Sequence, residues 1–342
     1  MSNYESKFIA NLNNIELVVH NSSIRYLAGI SPENEWGVRG LSAHSVNDDF
    51  RSPLQQEITK IPEYLASQEG KERMVNFLQT ATNVYIGMIQ NKTGWVTKGF
   101  LGGKKISFVL GYMRTGGSYA LSELCRIHGY NYKDYLQSMT HDSIPKGGAM
   151  HFTNSPTYLK RTMFDLCQYL VWVADVQKTL PHVVLKSINS SFCIPLYNGI
   201  FGEDARYFIT VRDPLHSAES FRKMVKADDD NVPDLWINTL EYNGLTNREE
   251  WAEMDYYEKA ILWWKYLYER VAHNLRPVKQ YAYVAHYGKD MQDKLVQYAK
   301  DHGVNDYEPK DMNPAKEYNF SDKHLEIAKK ATDYINTCFN NV

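Results

Sequence analysis

The sequence is sparing with the features that mark secreted, membrane-spanning or nucleic-acid-coating proteins. Its four cysteines, Cys125, Cys167, Cys193 and Cys338, are scattered and form no CxxC pair, which argues against both a thiolate zinc site and a disulfide framework. Reduced thiols in a cytosolic protein are the simpler account. No run approaches the ~18 consecutive apolar residues of a membrane helix. The amino-terminal stretch MSNYESKFIANLNNIELVVHNSS also lacks a basic segment leading into a long apolar one. The expected location is therefore cytoplasmic, with no membrane contact. Charge is not one-sided either: 38 Lys and Arg against 40 Asp and Glu leave a net charge of −2. That disfavours a general nucleic-acid binder and leaves room for a local basic pocket. The acidic run Asp228-Asp229-Asp230 has no glycine spacing or phosphate partner, so it reads as a solvated loop rather than a metal site.

What is present is a globular composition: 43% apolar residues and 13% aromatic ones, including 25 tyrosines, in a chain of 342 residues. Residues 1–100 carry no chemical motif. Residues 57–65 and 70–89 have helical periodicity, the second with Met74, Phe77, Leu78, Ala81, Val84 and Tyr85 along one face. Residues 31–52, rich in Pro, Gly, Asn and Asp, read as loop. The expectation is a helical amino-terminal extension or lid over residues 1–100, ahead of an α/β domain over 101–342.

The rest of the chain is organised around KISFVLGYMRTGGSYALSELCRIHG, residues 105–129. Residues 106–110 form an apolar run of strand length, a glycine-rich turn follows, and Ala120, Leu121, Leu124 and Cys125 then recur at helical spacing. Strand, glycine turn and helix in that order surround an anion with backbone N–H groups. The spacing Gly111-x4-Gly116-Gly117-Ser118 is close to GxxxxGK[ST], but glycine stands where the phosphate-gripping lysine belongs. A cation sits earlier in the turn, at Arg114.

Two further apolar runs, 182–186 and 207–211, alternate with helical stretches at 161–180, 192–201 and after Pro214, which implies a parallel sheet with crossover helices. Ligands of such sheets bind at the carboxyl ends of the strands, where Arg114, Lys186 and Arg212 fall. Asp213 suits a helix N-cap and Pro214 the first helical position. The aromatic stripe of residues 256–275, with Trp263 and Trp264, reads as core rather than as a cofactor box. Residues 310–318 are expected to close near a bound nucleotide, with Lys316 as an additional phosphate contact.

Tyr112-Met113-Arg114-Thr115-Gly116-Gly117-Ser118 resembles the 5′-phosphosulfate loop of sulfotransferases, roughly Y-P-[KR]-[ST]-G-[TG]-[TS], with Met113 in place of proline. Arg212-Asp213-Pro214, with Ser220 following, resembles their 3′-phosphate motif R-[DN]-P-x5-S. Lys186-Ser187 is similar to the lysine strand between the two, and FGEDAR at 201–206 to the F-P-D-A-R lead into the last strand. Residues 105–230 thus resemble the nucleotide-binding core of the sulfotransferase superfamily. Residues 231–342 form a helical carboxyl-terminal part in which 281–304 follow the family more loosely.

The resemblance implies a P-loop-like parallel sheet flanked by helices, and transfer of a sulfuryl group from 3′-phosphoadenosine 5′-phosphosulfate to a hydroxyl or amine without a required metal. It implies that the backbone of residues 115–118, with the Thr115 and Ser118 hydroxyls and Tyr119 beside Gly116 and Gly117, holds the 5′-phosphate. Arg114 and Lys186 would stabilise charge on the bridging and leaving oxygens, and Arg212 and Ser220 would bind the 3′-phosphate. The implied acceptor is a small molecule or glycan, and a homo-oligomer stays open.

The general base departs from the family's best-known patterns. Cytosolic members have K-T-H on the lysine strand where this chain reads Lys186-Ser187-Ile188, and no glutamate occurs between Glu123 and Glu203. The irregular segment 130–156 offers His151 first, then His141 and Asp142. Two other readings stay open: a nucleotide kinase or other phosphotransferase, and a non-catalytic member that binds a nucleotide or a protein partner.

Overall fold

The structure, a computed structural model, describes residues 8–12, 15–19, 21–31, 53–140, 156–176, 178–225, 234–314 and 316–341. It opens with an antiparallel hairpin of β1 (Phe8–Leu12) and β2 (Ile15–Val19). Four later strands build one parallel sheet: β3 (Lys105–Gly111), β4 (His182–Lys186), β5 (Ala205–Val211) and β6 (Ala282–His286), in the order β4-β3-β5-β6. The expected α/β fold with a parallel sheet flanked by helices is therefore present.

Both faces of the sheet are buried, which is why its strands read as continuous apolar runs rather than alternating ones. Ile106, Phe108 and Leu110 of β3 face one core, with Tyr207 and Ile209 of β5 beside them. The helices Gln68–Ile89, Pro156–Val176 and Tyr256–Leu275 cover that face. Val109, Val184 and Phe208 face the other core, covered by the helices Gly117–Ile127 and Lys289–Asp301. The period-2 pleat sorts neighbouring residues of one strand into two separate cores.

β3 lies between β4 and β5, so the chain leaves β3 on one side and returns across it to build the other. Such a reversal opens a crevice beyond the carboxyl ends of the central strands. The amino-terminal helices are part of the first core. Ala81 and Val84 of the 68–89 helix are fully buried, Tyr85 packs edge-on against Phe164 at 6.1 Å, and Ser23 Oγ donates to Gln168 Oε1 at 3.0 Å in the interior.

Element boundaries follow local chemistry. The 156–176 helix starts earlier than its periodicity suggests because Pro156 suits a first helical position. The 192–201 stretch splits into a 3-10 turn, Asn189–Phe192, and the helix Ile194–Phe201, with Pro195 in its first turn. The 256–275 helix begins with a capping box of Asp255 and Glu258. Its Trp263, Trp264 and Tyr268 are buried in the core, as the stripe suggests. All four cysteines are free thiols. Among the described residues, no helix is long and apolar enough to cross a membrane.

Candidate functional site

The turn after β3 depends on backbone conformations that ordinary residues avoid. Gly111 has φ +135°, and a Cβ there would lie 2.4 Å from the Thr210 carbonyl oxygen. Gly116 has φ +92°, and Arg114, unusually for a residue with a side chain, sits at φ +62°. Left-handed backbone at a residue other than glycine costs energy and gathers where a loop must hold a ligand. The inner side of the turn is tied to its surroundings. The Gly111 N–H donates to Ser191 Oγ at 3.1 Å and the Tyr112 N–H to the Tyr268 hydroxyl at 3.1 Å. Thr115 Oγ1 donates to the Tyr112 carbonyl at 2.7 Å and lies 2.8 Å from Thr210 Oγ1. The Thr115 hydroxyl is thus occupied inward, and what residue 115 presents to a ligand is its backbone. The 117–127 helix starts directly after the turn, so its first amides lack intrahelical partners.

Three cations surround this turn. Lys186 reaches it from the end of β4: its Cε would be only 2.9 Å from a Cβ on residue 117. Glycine at 117 therefore makes room for a lysine arriving from the neighbouring strand, close to where an ATP-binding loop carries its own. Arg114 Nε donates to Ser220 Oγ at 3.1 Å. Arg212 Nη1 donates to the Arg114 carbonyl at 3.2 Å, and its guanidinium lies 4.3 Å over the Tyr287 ring. Neither arginine has a carboxylate partner among the described residues. A narrow cleft lined by Gly111, Tyr112, Gly117, Lys186, Ser187 and Thr210 opens between β3 and β4. The Ser187 hydroxyl there is buried and has no hydrogen-bond partner among the described residues. Such a group is commonly satisfied by a ligand or water.

The second motif forms the expected junction. The His216 N–H donates to Asp213 Oδ1 at 2.9 Å, the bond of an N-cap, and the helix Pro214–Val225 carries Ser220 back toward Arg114. Glu219 braces that helix from behind, accepting from Arg222 at 2.9 Å, Lys223 at 3.1 Å and the Tyr257 hydroxyl at 2.6 Å. Burial pushes the Glu219 carboxyl up, but the hydrogen bonds from Arg222, Tyr257 and Lys223 outweigh it and hold it at about 2.

Residues 307–314 and 316–318 run along this site, in line with the expected closing segment. The Tyr119 hydroxyl donates to the Lys310 carbonyl at 2.6 Å and the Tyr287 hydroxyl to the Asn313 carbonyl at 2.8 Å. Glu123, buried in the 117–127 helix, receives the Tyr307 hydroxyl at 2.6 Å and the Lys310 N–H at 3.0 Å. Tyr119 thereby holds the segment through its hydroxyl. Ser118 and Lys316 are exposed.

The structure brings together Arg114, Gly116, Gly117, Lys186, Arg212 and Ser220. His141, Asp142 and His151 lie outside the described residues, as do the acidic run 228–230 and nearly all of the 31–52 loop. Sequence reasoning missed Thr210, Tyr268, Trp264 and Tyr287. Trp264 Nε1 donates to the Arg212 carbonyl at 3.0 Å, and the Tyr268 hydroxyl reaches the Thr210 carbonyl. Nothing in the spacing of a helix distinguishes aromatic residues that only pack from those whose polar tips also hold a loop. No protein-family model, curated protein or solved structure matches the chain.

Proposed function

We propose that the chain is a sulfotransferase that moves a sulfuryl group from 3′-phosphoadenosine 5′-phosphosulfate to a hydroxyl or amine acceptor. The observation that carries this reading is the placement of Lys186 against Gly117, with Arg114, Arg212 and Ser220 in mutual contact beside it. Lys186 and Arg114 flank the glycine turn, and Arg212 lies beside them, with Ser220 on the adjoining helix, where a separate phosphate can be gripped. A nucleotide with phosphates at both 5′ and 3′ positions matches that division better than a single triphosphate chain. The residues fit the donor by two further marks: the Cβ-free approach at Gly117 and the buried Ser187 hydroxyl, which has no partner among the described residues and belongs to a residue lining the cleft.

In this reading the P-loop-like turn presents amides of residues 115–118 to the 5′-phosphate. The bound donor supplies the sulfuryl group. Lys186 and Arg114 neutralise charge that grows on the oxygen left behind as the sulfur–oxygen bond breaks, taking the place of the magnesium that kinases use. Arg212 and Ser220 hold the 3′-phosphate, and the Tyr287 ring limits the swing of the Arg212 guanidinium. The acceptor's proton passes to a base, for which His151, His141 and Asp142 remain the candidates.

Calorimetry with adenosine 3′,5′-bisphosphate in the presence of a chelator tests the reading. Binding is expected without metal, and Arg212→Ala is expected to weaken the bisphosphate about 10- to 100-fold, the loss of a charge-assisted contact of ~1.5–3 kcal/mol. Adenosine 5′-phosphate should lose much less. Tighter binding of magnesium–ATP would favour a phosphotransferase instead, and no nucleotide binding at all would favour an interaction role.

A further inference from the structure

At the opposite end of the strands, beside the amino terminus of β4, three histidines from three elements meet. His128 caps the 117–127 helix, His182 opens β4 and His302 caps the 289–301 helix. One ring nitrogen of each lies within 4.8 Å of the other two. Each ring also has one nitrogen engaged with an oxygen. His302 Nδ1 donates to the Tyr298 carbonyl at 2.8 Å, which leaves Nε2 with its lone pair. His128 Nε2 lies 2.8 Å from the Tyr298 hydroxyl, and His182 Nε2 lies 2.7 Å from Ser107 Oγ. The two hydroxyls are themselves 2.6 Å apart. Nδ1 of His128 and of His182, like Nε2 of His302, has no hydrogen-bond partner among the described residues. Imidazoles that bind metals commonly have one nitrogen held by an oxygen and the other left for the ion.

We propose that His128, His182 and His302 form a zinc site of three imidazoles with a fourth position open to water or an added ligand. The ligand set is all nitrogen, which suits zinc and its borderline neighbours and not calcium or magnesium. Lys105 and Arg206 lie near enough to oppose a cation and Asp301 near enough to favour one. These are long-range effects, weakened by solvent, whereas three coordinate bonds act at contact.

The geometry needs a small adjustment. Zinc–nitrogen bonds of about 2.0–2.1 Å in a tetrahedron place ligand nitrogens roughly 3.4 Å apart, so the rings must draw in by about 1 Å. The His128 and His182 rings stack at 3.8 Å with 14° between their planes, and one must tilt for both to face a single ion. His128 and His302 are partly buried, while His182 is only 4% exposed and is held in place by Ser107.

The test uses the full chain, stripped with a chelator and titrated with zinc alone by calorimetry and with cobalt(II) alone by visible absorption. One equivalent of zinc is expected, and the cobalt form should show the intense ligand-field bands of a low-coordinate nitrogen site. His302→Gln and His128→Gln, both at partly buried positions at helix ends, should keep the circular dichroism of the parent and bind zinc at least 100-fold more weakly. His273→Gln, an exposed histidine elsewhere, should leave binding unchanged. Absence of stoichiometric zinc binding by the parent, or equal affinity in the His302 and His128 variants, would overturn the proposal. No nucleotide enters these measurements, so the outcome is independent of the sulfuryl-transfer reading.

Discussion

Gly111 and Gly117 belong to one turn, yet a methyl group added to each should act through different quantities. At Gly111 the new Cβ would meet the Thr210 backbone oxygen at 2.4 Å, with φ at +135°. Neither the sheet nor the backbone angle can give way cheaply, so Gly111→Ala is expected to cost about 3 kcal/mol in urea unfolding. At Gly117 the obstacle is the flexible end of Lys186. Gly117→Ala should change stability by less than about 1 kcal/mol, because alanine also favours the helix that begins there. Its effect should fall on ligand binding, since Lys186 is displaced: roughly tenfold weaker bisphosphate binding by calorimetry. Equal stability losses in the two variants would contradict the packing described for the turn. The sequence made the missing lysine visible, but where the replacing cation comes from depends on β4 lying beside β3.

The helix Pro214–Val225 shows what an element needs beyond its cap. Asp213 and Pro214 announce its start in the sequence, and the His216 N–H closes the cap as expected. Glu219, the residue before Ser220, pairs at helical spacing with Arg222 and Lys223, but its contact with Tyr257 from a distant helix gave no signal in the sequence. Its acid dependence follows from linkage. The carboxyl has an ordinary value of 4.5 and is held at about 2 in the folded chain. A depressed carboxyl stabilises the fold fully above its unfolded value, and that contribution is lost as pH falls toward the folded one. The difference in melting temperature between the parent and Glu219→Gln should therefore be constant above about pH 5 and shrink between roughly pH 4.5 and 2. A difference that does not change across that window would mean the carboxylate's charge plays no part in bracing the helix.

At the scale of the whole molecule, the amino-terminal helices and the sheet share a core. Met74, Phe77 and Val84 belong to the same buried cluster as Phe164, Trp172, Phe108 and Tyr207. Removing residues 1–100 would strip one side of the 156–176 helix and expose a wide apolar face. A fragment of residues 101–342 is therefore expected to lack a cooperative thermal transition, whereas the full chain should unfold in one step. A sharp transition of the fragment within a few degrees of the full chain would show instead that residues 1–100 are an appended layer.

The strands β3, β4 and β5, the glycine turn, the capped junction at Asp213 and the buried stripe of the 256–275 helix were legible in the sequence, because each depends on residues a few positions apart. The β1–β2 hairpin was not legible within the expected helical extension. Periodicity, caps and backbone-permissive glycines are local rules, and they hold wherever the segment ends up. The order β4-β3-β5-β6 is not local. It decides that Lys186 lies over Gly117, that Arg212 meets Arg114, and that Tyr268 and Trp264 reach the loops with their polar ends. It also gathers His128, His182 and His302 at the amino-terminal end of the strands, where no spacing in the chain hints at a cluster. Local chemistry set the pieces, and the packing of the sheet and its helices decided which side chains meet.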